Sequence, residues 1–188
     1  VVAPFGVPAD LIQVIDEPSI DKTKELMEAC DVVVATGGMP MVKSAYSSGK
    51  PSFGVGAGNV QVILDRNIDL EAAAEKVITG RAFDNGIICS GEQFFTYPVT
   101  DREAVFKADR ICKEKMFPVM GCLGYDNFEE ALRIAKTNLN MEGNGHTAGI
   151  HSNDQANVIK AGTELSVSRL IVNAPCATTA GGSIQNGL

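Results

Sequence analysis

No run of apolar residues in this chain is long enough to span a bilayer, and no signal-peptide pattern is present. A membrane partner is therefore not expected, and the cytoplasm is the expected address. Basic residues are in deficit too: Lys and Arg number 16 against 23 Asp and Glu, for a net charge of −7 and a pI near 4.8. A non-specific nucleic-acid binder needs a basic face, so that class is excluded. No C-x-x-C pair occurs, and His146 and His151 are the only histidines. Clustered donors for zinc are missing, and no metal is expected. The five cysteines, at positions 30, 89, 112, 122 and 176, are odd in number and irregular in spacing. Such a set does not make a disulfide framework and fits reduced thiols in a reducing compartment. Internal repeats and low-complexity tracts are absent as well.

What is present describes a soluble globular protein. Hydrophobic residues make up 45% and charged residues 21% of 188 positions, enough for one domain or two small lobes with a sizeable core. The 19 glycines cluster at 37–38, 54–58, 143–145 and 181–182. Clustered glycines mark loops where backbone approaches a ligand closely.

Residues 1–5 read as the tail of an element already under way, and the glycine-rich stretch 178–188 has no closing element. A longer parent chain is expected. A short apolar strand is expected at 11–15. Pro18 and Ser19 then introduce a helix at 20–29, with Ser19 as its cap and Asp21 favouring its N-terminal dipole. The run 31–35 is β-branched without alternation, as in a parallel strand buried on both faces. A helix at 41–47 follows, closed by Gly49, and then a strand from 52 that extends through 60–64. A helix at 69–79 sets Leu70, Ala73, Ala74, Val77 and Ile78 at helical spacing. Beyond a strand at 93–97, Asp101 caps a helix to 111 and an apolar run ends at Tyr125. Asp126 caps a helix with Phe128, Ala131, Leu132 and Ala135 on one face. A strand at 148–151, a helix from Asn153 and a strand at 169–172 complete the pattern. Strands alternating with helices predict an α/β fold with a parallel sheet and right-handed crossovers.

Two stretches carry chemistry. Cys89 follows a polar, glycine-containing turn, Asp84-Asn85-Gly86, and two apolar residues, and precedes a β-prone run. Backbone then presents the thiol at the edge of a core, so Cys89 is a candidate nucleophile; a buried structural thiol is the plainer alternative. Thr36-Gly37-Gly38 joins a strand to a helix. Such a glycine pair frees backbone N–H groups for a phosphate, though it equally makes a tight turn with no ligand. Lys43 and Tyr46 lie on the helix that follows, where Lys43 reads as solvated.

The motifs, in order, resemble the coenzyme-A-acylating branch of the aldehyde dehydrogenase superfamily. They are Ala35-Thr36-Gly37-Gly38, Ala45-Tyr46-Ser47-Ser48-Gly49-Lys50-Pro51, Gly54-Val55-Gly56-Ala57-Gly58-Asn59 and the stretch from Phe83 through Cys89 to Gln93. Lys113-Glu114-Lys115-Met116-Phe117-Pro118-Val119 and Glu142-Gly143-Asn144-Gly145-His146-Thr147 complete the set. The nearest likeness is to acetaldehyde and succinate-semialdehyde (acylating) enzymes. The resemblance implies part of a Rossmann-like cofactor domain over 1–60 and an α/β catalytic domain over 61–188. The interval between Cys89 and Glu114 is several dozen residues shorter than in such enzymes, which places an internal gap near 108–109.

The same resemblance implies site roles. Cys89 attacks the aldehyde and carries a thioester after hydride transfer to NAD or NADP, and coenzyme A takes the acyl group. Thr36, Gly37 and Gly38 lie under the cofactor pyrophosphate, with Gly54 and Gly56 nearby, and Glu114 holds the nicotinamide ribose. Asn85 and His146 fall near the substrate and coenzyme A, His146 equally reading as a packing residue. Hydrolytic relatives carry a glutamate-leucine-glycine-glycine segment where this chain has Gly54-Val55-Gly56-Ala57. That glutamate activates water, so its replacement by glycine leaves the thioester for a thiol. A homodimer or larger assembly is implied. Cys30, Cys112, Cys122 and Cys176 read as packing residues, with Cys176 nearest the expected substrate mouth. The alternatives are a hydrolytic relative, an enzyme like glutamyl-phosphate reductase, and an inactive scaffolding fragment.

Overall fold

A computed structural model of the chain describes residues 3–99, 116 and 118–180. They form two compact units, Val1–Gly54 and Val55–Leu188. The first unit holds helix α1 (Ile20–Ala29), strand β1 (Val33–Thr36) and helix α2 (Met39–Tyr46), and β2 (Ser52–Val55) pairs with β1. Ser19 caps α1 as its sequence predicts, its Oγ accepting from Lys22 N at 3.1 Å. The helix at 41–47 starts earlier, at Met39, because Pro40 suits the first turn, where no N–H is needed. Gly49 stands past its end with φ of 77°.

Three expectations for this unit change. Residues 11–15 form no strand and are exposed, Val14 to 82%. A strand needs an edge to pair with, and the described sheet here contains only β1 and β2. Strand β1 is not buried on both faces: Val33 and Ala35 are buried, and Val34 is 77% exposed. The strand from 52 does not run on to 64, because Gly56 to Asn59 form a loop and Val60 opens a new strand.

The second unit is a five-stranded parallel sheet with helices on both faces. Its strands are β3 (Val60–Leu64), β4 (Glu92–Pro98), β5 (Gly121–Tyr125), β6 (Thr147–His151) and β7 (Arg169–Val172), in the order β5-β4-β3-β6-β7. Helix α3 (Leu70–Ala82) connects β3 to β4, α4 (Phe128–Met141) connects β5 to β6, and α5 (Gln155–Glu164) connects β6 to β7. The chain first builds outward from β3 and then returns to its other side, the arrangement of a Rossmann-like sheet.

Strand β3 is central, and all five of its residues are buried. Ile63 packs with Phe94, Leu132, Leu139 and Ile150 beneath α4 and α5. Val60, Val62 and Leu64 pack with Ala73 and Val77 of α3 on the opposite face. Each of these Val, Leu, Ile and Phe side chains contributes about 1.5–3 kcal/mol by leaving water. Asn127 caps α4 in place of Asp126, because its Oδ1 reaches Glu130 N at 3.0 Å. Asp154 likewise caps α5, just beyond the expected start at Asn153. The helix predicted at 101–111 lies outside the described residues. Among the described residues no helix is long and apolar enough to cross a membrane.

His151, at the end of β6, is buried, and burial with Lys76 nearby lowers its pKa from 6.5 to about 4. Unfolding restores the ordinary value, so the unfolded chain binds the extra proton between these limits. Stability is therefore complete above pH 6.5 and is lost as pH falls through 4, by about 3 kcal/mol at the lower limit. Urea titrations between pH 7 and pH 4 will show this decline, and His151→Gln will flatten it.

Candidate functional site

Three loops meet at the N-terminal ends of β3, β4 and β6. Gly58 lies in the first, Cys89 in the second and His146 in the third. A Cβ on Gly58 would stand 1.7 Å from the Cys89 carbonyl oxygen and 3.1 Å from His146 Cε1. Only a bare Cα allows the three loops to come this close.

Each loop is held from behind. Asn59 Nδ2 donates to the carbonyls of Asn138 and Glu142, at 3.1 and 3.0 Å. Gln61 Nε2 donates to Asn59 O at 2.9 Å, and Asn138 Nδ2 donates to Gln61 Oε1 at 2.8 Å. This buried amide network ties the start of β3 to the end of α4, and paired amides in a core define one arrangement. Gly143, at φ of 103°, packs on Asn59, and His146 N donates to Gly143 O at 3.1 Å. Ser168 fixes the His146 carbonyl through its N–H and its Oγ. His146 Nδ1 pairs with Thr147 Oγ1 at 3.1 Å, and burial followed by the charge of Arg169 lowers its pKa. A neutral imidazole, able to accept a proton, therefore prevails at neutral pH.

The loop of Cys89 begins in a left-handed turn, with φ of 50° at Asp84, 53° at Asn85 and 76° at Gly86. Asn, Asp and Gly are the residue types that tolerate this region, so the sequence Asp-Asn-Gly makes the turn locally. Gly91 N donates to Ile88 O at 3.1 Å, closing a second turn around Cys89. The thiol is free and half-buried, as presentation by backbone requires. Asn85 stands exposed in the turn before it.

Of the other thiols, Cys176 is buried in the core, as its reading as a packing residue expects, its backbone N–H donating to Glu92 Oε1 at 2.6 Å. Burial and the adjacent Glu92 carboxylate push its thiol pKa well up, which makes it inert. Cys122, read as packing, is exposed on β5, at one end of the described sheet. Cys112 and Glu114 lie outside the described residues.

In the first unit, Thr36 ends β1 and Gly38 is the N-cap of α2. A cleft of about 670 Å³ opens beside that helix N-terminus. Its walls include Ser19, Ile20, Lys24, Gly38, Pro40 and Met41. Apolar walls, a lysine and the positive end of the α2 dipole together suit a phosphate-bearing group with an apolar ring, although Pro40 has no N–H and Met41 and Val42 donate to Gly38 O. Gly54 has a packing reason to lack a side chain: a Cβ there would be 2.7 Å from Val42 Cγ1. Gly56 is half-buried in the loop entering β3. Gly58, Arg81 and Glu92 escaped the sequence reading. The only signal for Gly58 was its place in the glycine cluster, and nothing local marks the other two.

No family model matches the chain. It is 42% identical to the acetylating succinate-semialdehyde dehydrogenase of Clostridium kluyveri, over 97% of this chain and 54% of that enzyme. That alignment extends over 248 residues, more than this chain contains, so the relative carries several dozen residues with no counterpart here. The crystal structure of an acetylating aldehyde dehydrogenase from Geobacillus thermoglucosidasius matches with a TM-score of 0.84 at 26% identity. It spans 98% of this chain and 56% of that one. A propionaldehyde dehydrogenase from Rhodopseudomonas palustris, with bound CoA and an acylated cysteine, has the same fold, with a TM-score of 0.77 at 24% identity. That match takes in 97% of this chain and 56% of the other. The chain thus spans about half the length of these proteins.

Gly58→Ala will drive the Cys89 carbonyl away and lower stability by about 1–3 kcal/mol, as overpacking does. Gly145→Ala has open space around its Cβ and only a φ of 80° against it, so its cost will be smaller, about 1 kcal/mol. Paired denaturant titrations of the two variants check the order.

Proposed function

The chain belongs to the aldehyde dehydrogenase superfamily, and from that membership we propose that the intact protein converts a short aldehyde to an acyl-CoA, and the reverse, through a thioester on Cys89. The observation that carries the reading is the meeting of Cys89, Gly58 and His146 at one end of the sheet. Segment 54–57 brings no carboxylate with it. The Cys89 thiolate adds to the aldehyde carbon and forms a thiohemiacetal. Bound NAD or NADP supplies the hydride acceptor, and loss of hydride from that carbon leaves a thioester. The coenzyme A thiolate then attacks the acyl carbon and the Cys89 thiolate leaves.

The chain's own groups serve these steps. The Cys89 N–H, unpartnered among the described residues, is the donor for the oxyanion. His146, kept neutral by burial, takes the proton of an incoming thiol. Asn85 lies on the exposed side of the turn, where coenzyme A approaches. Thr36, Gly37 and Gly38 hold the cofactor pyrophosphate at the α2 N-terminus, and the cleft beside it takes the adenosine. Gly56 is assigned to the cofactor set as well. Gly54 and Glu114 complete the cofactor set, Glu114 on the nicotinamide ribose. Without a water-activating carboxylate the thioester persists until a thiol arrives. We further assign the protein to the cytoplasm, as a homodimer or larger assembly.

The test incubates the protein with acetyl-CoA or succinyl-CoA and reads its intact mass, then supplies aldehyde with NAD+ or NADP+ and follows nicotinamide absorbance. An acyl adduct on Cys89 is expected, with turnover only when coenzyme A is present. Cys89→Ala will remove the adduct and lower turnover by about a thousandfold or more. Full turnover without coenzyme A, or an adduct that survives Cys89→Ala, contradicts the proposal.

A further inference from the structure

Arg81, in the last turn of α3, is only 3% exposed. Arginine is almost never buried so deeply unless its donors are engaged. Its Nη2 donates to Gly86 O at 3.2 Å and its Nη1 donates to Glu92 O at 3.1 Å. Gly86 and Glu92 flank Cys89 symmetrically, one ending the left-handed turn and the other opening β4. One planar guanidinium therefore grips both ends of the segment that carries the thiol. Within that segment the described turn bonds are Ile87 N to Asp84 O and Gly91 N to Ile88 O, each local to a single turn.

The surroundings make the grip rigid. Glu92 is fully buried, and its carboxylate lies against Gly80, where a Cβ would stand 2.0 Å from Oε2. The same carboxylate accepts Cys176 N. A bare glycine beside Arg81 thus lets the end of α3 press onto the start of β4, while Glu92 anchors the strand to the 176 loop. The positive charge of Arg81 offsets part of the cost of burying Glu92.

We propose that Arg81 is a positioning residue for Cys89: its two carbonyl contacts set the thiol-bearing loop against Gly58 and His146, and Glu92 holds the base on which the loop rests. A lysine can supply one of these contacts and not both, because its ammonium is a point donor and not a fork. Hydrogen exchange tests the grip directly, and acyl transfer tests its consequence. The second readout rests on the reading of Cys89 as nucleophile, and the first does not.

In Arg81→Gln, amides in a peptide covering residues 83–93 will exchange at least about tenfold faster, while those of β6 keep the rate of the unaltered protein. Acyl transfer from acetyl-CoA to Cys89 will slow at least about tenfold, and alkylation of the same thiol by iodoacetamide will change much less, since a small reagent needs no orientation. Arg81→Lys, which keeps charge and stem, will fall between the two and serves in place of Arg81→Gln if the latter does not fold. Unchanged exchange over 83–93 in either folded variant overturns the proposal, even where Cys89 of the unaltered protein is acylated. Equal slowing of acyl transfer and alkylation also overturns it, because that marks general damage. Faster local exchange without any acyl adduct on the unaltered protein keeps the grip and rejects the nucleophile.

Discussion

The second unit depends on a single close approach. At Gly58 the loop before β3 passes so near the Cys89 carbonyl that a methyl group would lie 1.7 Å from its oxygen. The same contact brings the His146 ring alongside. Neither the strands nor the helices produce this by themselves. Parallel strands leave their N-terminal ends as separate loops, and a missing side chain lets three of them converge.

Holding that convergence takes polar groups inside a sheet. Asn59, Gln61 and Asn138 form one amide network on the α4 side, and Arg81 with Glu92 forms a charged one on the α3 side. Buried polar groups are costly when unpaired, so each network favours a single arrangement of its loop. The apolar clusters on the two faces, around Ile63 and around Val62, supply the cohesion, and the polar groups supply the register. Stability and placement are thus carried by different atoms of the same strand, with Gln61 and Ile63 on one face of β3 and Val60 and Val62 on the other.

The division of labour between thiols follows from the same physics. Cys89 is half-buried between two turns, outside the strands. Cys176 lies beneath β6, packed on Gly149 and facing the Glu92 carboxylate, which disfavours a second negative charge. A thiol's place relative to the sheet, and not its residue type, separates a partly exposed thiol from a packed one. In the first unit the chemistry is that of a helix end: Gly38 at the N-cap of α2 and a cleft with apolar walls suit an anion joined to a ring.

Much of this was legible in the amino-acid sequence because it is local. The β-branched and apolar runs located β1, β2, β4, β6 and β7. Ser19 marked the start of α1, and Asp84-Asn85-Gly86 specified a left-handed turn before Cys89, since backbone preference acts within a few residues. Spaced motifs also carried the family. Residues 11–15 misled, because an apolar run becomes a strand only where an edge awaits it, and among the described residues the sheet of that unit holds β1 and β2 alone. Gly58, Arg81 and Glu92 gave no local sign, because what each does is set by a partner in another element. Gly58 meets Cys89 from a different strand, and Arg81 reaches across from α3 to β4. Local sequence chose the candidate thiol and the turn that presents it. Only the tertiary structure decided what surrounds it, because contacts between distant segments exist once the sheet has brought their ends together.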